Sequence, residues 1–249
     1  MKRGPRLYVP TPLSGGHVAL DADAAHRLRN VLRLGPGDAV RVFNAASGEF
    51  DATIDELAKS RATLAMGAQV RAAGRDEGPW MVVAAIKRAP LDLLVEKATE
   101  LGATAIHPIL TARTNVERVN VARLREIAVS AAEQCERLDP PAIAEAETLR
   151  AKLANWPSDR ALLLCAEAGE SLPLAQALAA RDLTAPFAVM TGPEGGFAPD
   201  ELAMLAQCPF VVRAGLGPAI LRADTAALAA LAVFQALSPR GKKPPRAFD

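Results

Sequence analysis

From residue 6 to about residue 70, apolar and polar positions alternate in short runs with a period close to two. That period places successive side chains on opposite faces of a strand. YVP, HVAL, DAVRVFN, FDATIDEL and RATLAMGAQV are therefore read as strands, with turns at LGPGD (34–38) and ASGEF (46–50). One stretch breaks the rhythm. DADAAHRLRNVLRL (21–34) carries Leu28, Val31 and Leu32 at helical spacing, with Asp21 or Asp23 as N-cap. Short strands at regular spacing predict a small β-barrel over residues 1–73. The polar, glycine-containing AAGRDEGP (72–79) reads as a linker.

Beyond it the pattern changes. WMVVAAI (80–86) is a continuous apolar run, as expected of a parallel strand buried on both faces. LDLLVEKATELG (91–102) is an amphipathic helix closed by Gly102, and AIHPIL (105–110) is the next strand. VARLREIAVSAAEQCERL (121–138) predicts a long helix stopped by Pro140 and Pro141. ALLLCAE, a helix around LPLAQALAA, FAVMTG, PDELAMLA, PFVVRAGL and a last helix through Ala236 continue the alternation. The fold class is thus α/β, with a mostly parallel sheet covered on both faces over residues 78–240, followed by a basic tail at 241–249.

Composition narrows the classes. Half of the residues are hydrophobic, which supports packed cores and argues against disorder. No apolar run is long enough to span a bilayer, so no membrane partner is expected. The start, MKRGPRLYVP, is basic without an apolar segment after it, so no leader is expected. Cys135, Cys165 and Cys208 form no disulfide framework, and His17, His26 and His107 are scattered, so the expectation is a reducing cytoplasm and no metal. Charge is uneven along the chain. Residues 1–75 hold 11 Lys/Arg against 7 Asp/Glu, whereas residues 76–237 hold 14 against 20. Basic ends around an acidic body suit a polyanionic partner.

Ligands of open parallel sheets bind beyond the carboxyl ends of the strands. Two such ends stand out: Met190-Thr191-Gly192-Pro193-Glu194-Gly195-Gly196-Phe197, and Gly215-Leu216-Gly217-Pro218 leading through Ala219-Ile220-Leu221-Arg222 into a helix. Two strand–turn–helix units in tandem can cradle one ligand. Neither is the G-x-G-x-x-G dinucleotide fingerprint, and no phosphate-binding G-x-x-x-x-G-K-[ST] loop occurs.

TGPEGGFAPDEL followed by LGPAILRADTAALAAL resembles the RsmE family of ribosomal RNA methyltransferases, within the SPOUT superfamily of trefoil-knotted enzymes. KATELGA, the TAR of 111–113, AAEQCER, RLYVP and VLRLGPGD extend the resemblance over nearly the whole chain. It implies a PUA-like barrel followed by a knotted SPOUT domain, a homodimer, S-adenosylmethionine as cofactor, and methylation of N3 of a uridine in small-subunit (16S) ribosomal RNA. The partner is then ribosomal RNA or the small ribosomal subunit. Cofactor binding falls to Met190, Gly192, Glu194, Gly195, Gly196, Leu216, Gly217, Ile220, Leu221 and Thr225. Two positions depart from the family pattern: Ala219 stands where an Arg is usual, and Asp224 where a Glu is common.

Uracil N3 lies on the Watson–Crick edge, so the base must be unpaired. Its N3–H must be lost, and charge then develops on the flanking carbonyls, where an arginine can stabilise it. Arg222 is the first candidate for the catalytic contact and Arg113 the second; Glu133 and Arg137, four apart, share a helix face and complete the set. The proton acceptor is left open among Glu194, Asp224 and water. Arg3, Arg6, Arg27, Arg29 and Arg33 are the expected RNA phosphate contacts of the barrel. Two other readings stand: a SPOUT ribose 2′-O-methyltransferase on tRNA or rRNA, and a non-catalytic RNA-binding ribosome assembly factor.

Overall fold

A computed structural model describes residues 4–116, 118–165 and 171–239. Arg3 and the tail at 241–249 lie outside the described residues. The chain divides into two compact units, one comprising residues 1–76 with 132–140, the other 77–131 with 141–249. The first unit is a five-stranded sheet in the order β1-β3-β4-β5-β2. Its strands are β1 (Arg6–Tyr8), β2 (His17–Leu20), β3 (Ala39–Asn44), β4 (Gly48–Leu57) and β5 (Ala62–Arg71), and only the β1–β3 pair is parallel. Leu7, Val18, Val40, Val42, Ile54 and Leu64 form its core with Leu28.

The helix expected over 21–34 is shorter and irregular. α1 (Ala22–His26) is capped by the Asp21 carboxylate, which accepts from the Ala24 amide, and then passes into a π-helical turn at Arg27–Val31. The wider π turn rotates the following residues out of the helical phase. Leu28 remains fully buried, but Val31 is 63% exposed and Arg33 takes a left-handed φ of 56°.

The second unit holds an eight-stranded sheet in which every ladder is parallel. In chain order its elements are β6 (Trp80–Ala84), α2 (Arg88–Glu100), β7 (Ala105–Leu110), α3 (Val121–Gln134), β8 (Ala142–Ile143), β9 (Glu147–Thr148), α4 (Leu149–Ala154), β10 (Ala161–Cys165), β11 (Leu172–Pro173), α5 (Leu174–Ala179), β12 (Phe187–Thr191), α6 (Pro199–Ala206), β13 (Val211–Gly215) and α7 (Ala223–Leu237). The order across the sheet is β11-β13-β10-β12-β6-β7-β8, with β9 also on β7. One face packs against α2, α3, α5 and α7, the other against α4 and α6. Among the described residues, no helix is long and apolar enough to cross a membrane.

The long helix expected to reach residue 138 ends at Gln134, and Glu136 has a left-handed φ of 60°. The residues that follow belong to the first unit, which a reading of contiguous segments did not anticipate. Arg6 holds them there. Its guanidinium donates to the carbonyls of Ala132 (2.9 Å) and Glu133 (3.0 Å) in the last turn of α3 and of Arg137 (3.0 Å) just beyond it. It also pairs with the buried Glu49 at 2.7 Å and stacks on Phe43 at 3.8 Å.

In the second unit a polar cluster lies on the α4 side of the sheet. His107 Nδ1 accepts from Lys152 Nζ at 2.9 Å, so its proton is on Nε2. The Trp80 ring packs on His107, and the Arg160 guanidinium lies 3.7 Å from the Trp80 ring centre. Burial, reinforced by the Lys152 and Arg160 cations, pushes the imidazole down to about 4. Unfolded, it titrates near ~6.5. Between those values only the unfolded chain takes up the proton, so stability should fall as pH drops from about 6.5 to about 4, then level off. The expected loss is about 2 kcal/mol after solvent screening. Urea titrations followed by the fluorescence of Trp80 and Trp156 would show this. His107→Gln should flatten that part of the profile, and an unchanged slope would contradict the assignment.

Candidate functional site

The carboxyl ends of β10, β12 and β13 lie side by side, with Cys165 in register with Thr191 on one side and Ala214 on the other. Alternation along each strand puts these three side chains on one face, that of Leu163, Val189 and α7. They form the floor of a cavity of about 260 Å³. One wall is the turn after β12, with Gly192, Pro193, Gly195, Gly196 and Phe197; the other is Gly215–Leu221, after β13. Arg113 closes a side.

Local chemistry explains both turns. The Phe197 ring lies so close to Gly192 that a Cβ there would meet it at 3.0 Å, so glycine lets this ring cover the backbone. Gly217 has a φ of 109°, open to glycine and strained for other residues. Pro199 opens α6 at its first helical position, where its missing N–H costs no hydrogen bond.

Glu201, at the third position of α6 and 6% exposed, ties the start of α6 to the loop after β7. Its Oε2 accepts from the Ala198 amide at 2.9 Å, half of a capping box, since Ala198 has no side-chain acceptor to return. Its Oε1 accepts from the Ala112 amide, also at 2.9 Å, in the loop after β7. Next to Ala112, Arg113 Nη1 donates to the Gly195 carbonyl at 2.7 Å. The loop after β7 is thus fixed to the turn at two points.

The cavity is almost free of charge. Burial pushes the Cys165 thiol up to about 12, so it stays protonated at neutral pH. Apart from Arg113 and the Ser171 hydroxyl, the walls are apolar side chains and the backbone of the two glycine turns. Such a site suits a ligand with an apolar ring and a few fixed hydrogen bonds.

Residues 78–235 match the profile of the RNA methyltransferase domain family, and residues 20–65 match that of the RNA methyltransferase PUA domain. The chain belongs to this RNA methyltransferase family. Ribosomal RNA small subunit methyltransferase E of Rickettsia conorii is 34% identical over 93% of this chain and 95% of its own length. The same-named protein of Synechocystis is also 34% identical, over 93% of this chain and 77% of its own length. The crystal structure of ribosomal RNA small subunit methyltransferase E from Neisseria gonorrhoeae bound to S-adenosyl methionine superposes with a TM-score of 0.83, at 29% identity over 94% of this chain and 98% of that one.

In this RNA methyltransferase the structure gathers Arg113, Gly192, Gly195, Gly196, Leu216, Gly217, Ile220 and Leu221 around the cavity. Glu194 is exposed at the tip of its turn. Arg222 and Thr225 are exposed at the start of α7, just past the cavity wall. Met190 points into the core on the opposite face, with Leu164 and Leu205, because strand alternation gives the cavity side to Thr191. Glu133 and Arg137 belong to the first unit. The Glu133 carboxylate accepts from the Tyr8 amide at 2.8 Å and pairs with Arg27, while Arg137 Nε donates to Asp76 at 2.9 Å. Arg6 and Arg27 are thereby engaged within the protein; Arg29 and Arg33 are exposed.

Thr191 and Phe197 stood in the first glycine turn segment without a role of their own, and Cys165 and Glu201 were not among the expected site residues. Counting by twos along FAVMT would have found Thr191, and Glu at the third position of a helix opened by Ala-Pro would have flagged Glu201. Glu201→Ala removes the acceptor of two backbone amides and should cost about 2–4 kcal/mol in a urea titration. Glu201→Gln, which keeps one acceptor oxygen, should lose about half of that. A Glu201→Ala variant as stable as the wild type would show that the bridge contributes nothing.

Proposed function

We propose that this chain transfers the methyl group of S-adenosylmethionine to N3 of a specific uridine in 16S ribosomal RNA. The observation that carries the reading is the near-neutral cavity between the two glycine turns, at the carboxyl ends of three parallel strands, in a chain of the RNA methyltransferase family. The residues present fit the cofactor: Leu216, Ile220 and Phe197 offer apolar surface for an adenine ring, and a Cβ built on Gly217 would meet nothing within 4 Å. Bound there, S-adenosylmethionine supplies an electrophilic methyl on a sulfonium.

The remaining work falls to the protein. The Gly192–Gly196 and Leu216–Leu221 turns hold the donor, and Arg113 keeps the first turn in place through the Gly195 carbonyl. Arg222, exposed beside the cavity at the start of α7, contacts the uracil and stabilises charge on the carbonyls flanking N3. With the donor held by the two turns and the base by Arg222, the uracil N3 and the methyl group would be brought together, which lowers the entropic cost of the transfer. Arg29, on the π turn of the first unit, and Arg33, two residues beyond it, meet RNA phosphates. The reading also includes a C-terminal trefoil knot, a homodimer and a cytoplasmic location, each supported by the family resemblance.

The test uses small subunits from a strain that lacks this enzyme, incubated with the protein and labelled S-adenosylmethionine, with nucleoside analysis of the RNA. The expected product is 3-methyluridine; a ribose 2′-O-methyl nucleoside, or no label at all, would overturn the reading. Arg222→Ala should lower turnover by about 10²–10³-fold with cofactor affinity nearly unchanged. Undiminished turnover would remove Arg222 from the reaction.

A further inference from the structure

At the floor of the cavity sits a polar group without a partner. Thr191 is 1% exposed, and its Oγ1 is buried with no hydrogen-bond partner among the described residues. A buried hydroxyl left in that condition is costly, and native proteins rarely keep one without a use for it. Its neighbours offer little. Cys165, in register on β10, presents a protonated thiol, and Ala214, one strand further, presents a methyl group. A valine would fill the same volume at no polar cost.

We infer that the Thr191 hydroxyl is a hydrogen-bonding contact for the nucleoside end of the methyl donor, an inference that rests on the cavity being the cofactor site. Thr191 lines the cavity, and rotation about χ1 exchanges its hydroxyl and methyl without moving the backbone. A hydroxyl both donates and accepts, so it serves a ribose hydroxyl or an adenine ring nitrogen equally well. The assignment to the nucleoside end follows from where charge lies. The floor of Thr191, Cys165 and Ala214 carries none, whereas the charged side chain of the lining, Arg113, stands at the exposed side and suits the amino-acid tail. Thr191 is therefore a binding residue whose unmet hydrogen bond in the free protein is completed by the ligand.

This arrangement makes two opposite predictions for one substitution. Thr191→Val removes the unmet hydroxyl, so the ligand-free protein should melt about 2–4 °C higher. The same change should weaken binding about tenfold, the equivalent of one buried hydrogen bond. Calorimetry with S-adenosylmethionine, S-adenosylhomocysteine and 5′-methylthioadenosine reads the affinities without any turnover. The loss should appear with all three, because 5′-methylthioadenosine keeps the nucleoside and lacks the tail. Thr191→Ser, which keeps the hydroxyl, should bind within about threefold of wild type. Wild-type affinity in Thr191→Val overturns the inference, as does a lowered melting temperature, which would reveal a partner within the fold. A loss absent with 5′-methylthioadenosine overturns the nucleoside assignment. A wild-type protein that binds none of the three ligands defeats the cofactor reading itself, a result distinct from the others.

Discussion

The Glu201 carboxylate lies out of water and accepts one backbone amide from each of two chain segments, Ala198 before α6 and Ala112 after β7. A buried charge is tolerated only where hydrogen bonds replace its hydration, so its position dictates that of both segments. Much of the cavity follows from this. With Ala112 fixed, Arg113 reaches the Gly195 carbonyl; with Ala198 fixed, the preceding Phe197 lies over Gly192. The turn after β12 is thus held by hydrogen bonds within the protein, which lowers the ordering cost of binding.

The floor depends on a second constraint, the register of three parallel strands. Pairing of Cys165 with both Thr191 and Ala214 sets three small side chains at one depth, while their neighbours Leu164 and Met190 pack on the opposite face. A slip of one residue in β12 would put Met190 in the cavity and Thr191 in the far core. The sheet is therefore part of the site as well as its support.

The parallel sheet was legible because continuous apolar runs such as WMVVA and ALLLC have few alternatives when helices separate them. The glycine turns were legible because Gly and Pro restrict the backbone locally. Features set by distant partners were not. The π turn at Arg27–Val31 exposes a valine that helical spacing had placed inside. Arg6, a plausible phosphate contact by composition, is drawn inside by Glu49 and three carbonyls more than a hundred residues away. Met190 and Thr191 differ by one step of strand phase, which a turn motif alone does not specify.

The central claim is that the turn after β12 and the turn after β13 close on the same methyl donor. Amide hydrogen exchange with and without S-adenosylmethionine tests it most directly. Amides of Gly195, Gly196 and Phe197 should slow together with those of Leu216, Gly217 and Leu221, at one common ligand concentration. Protection confined to one turn, or to neither, would contradict the account.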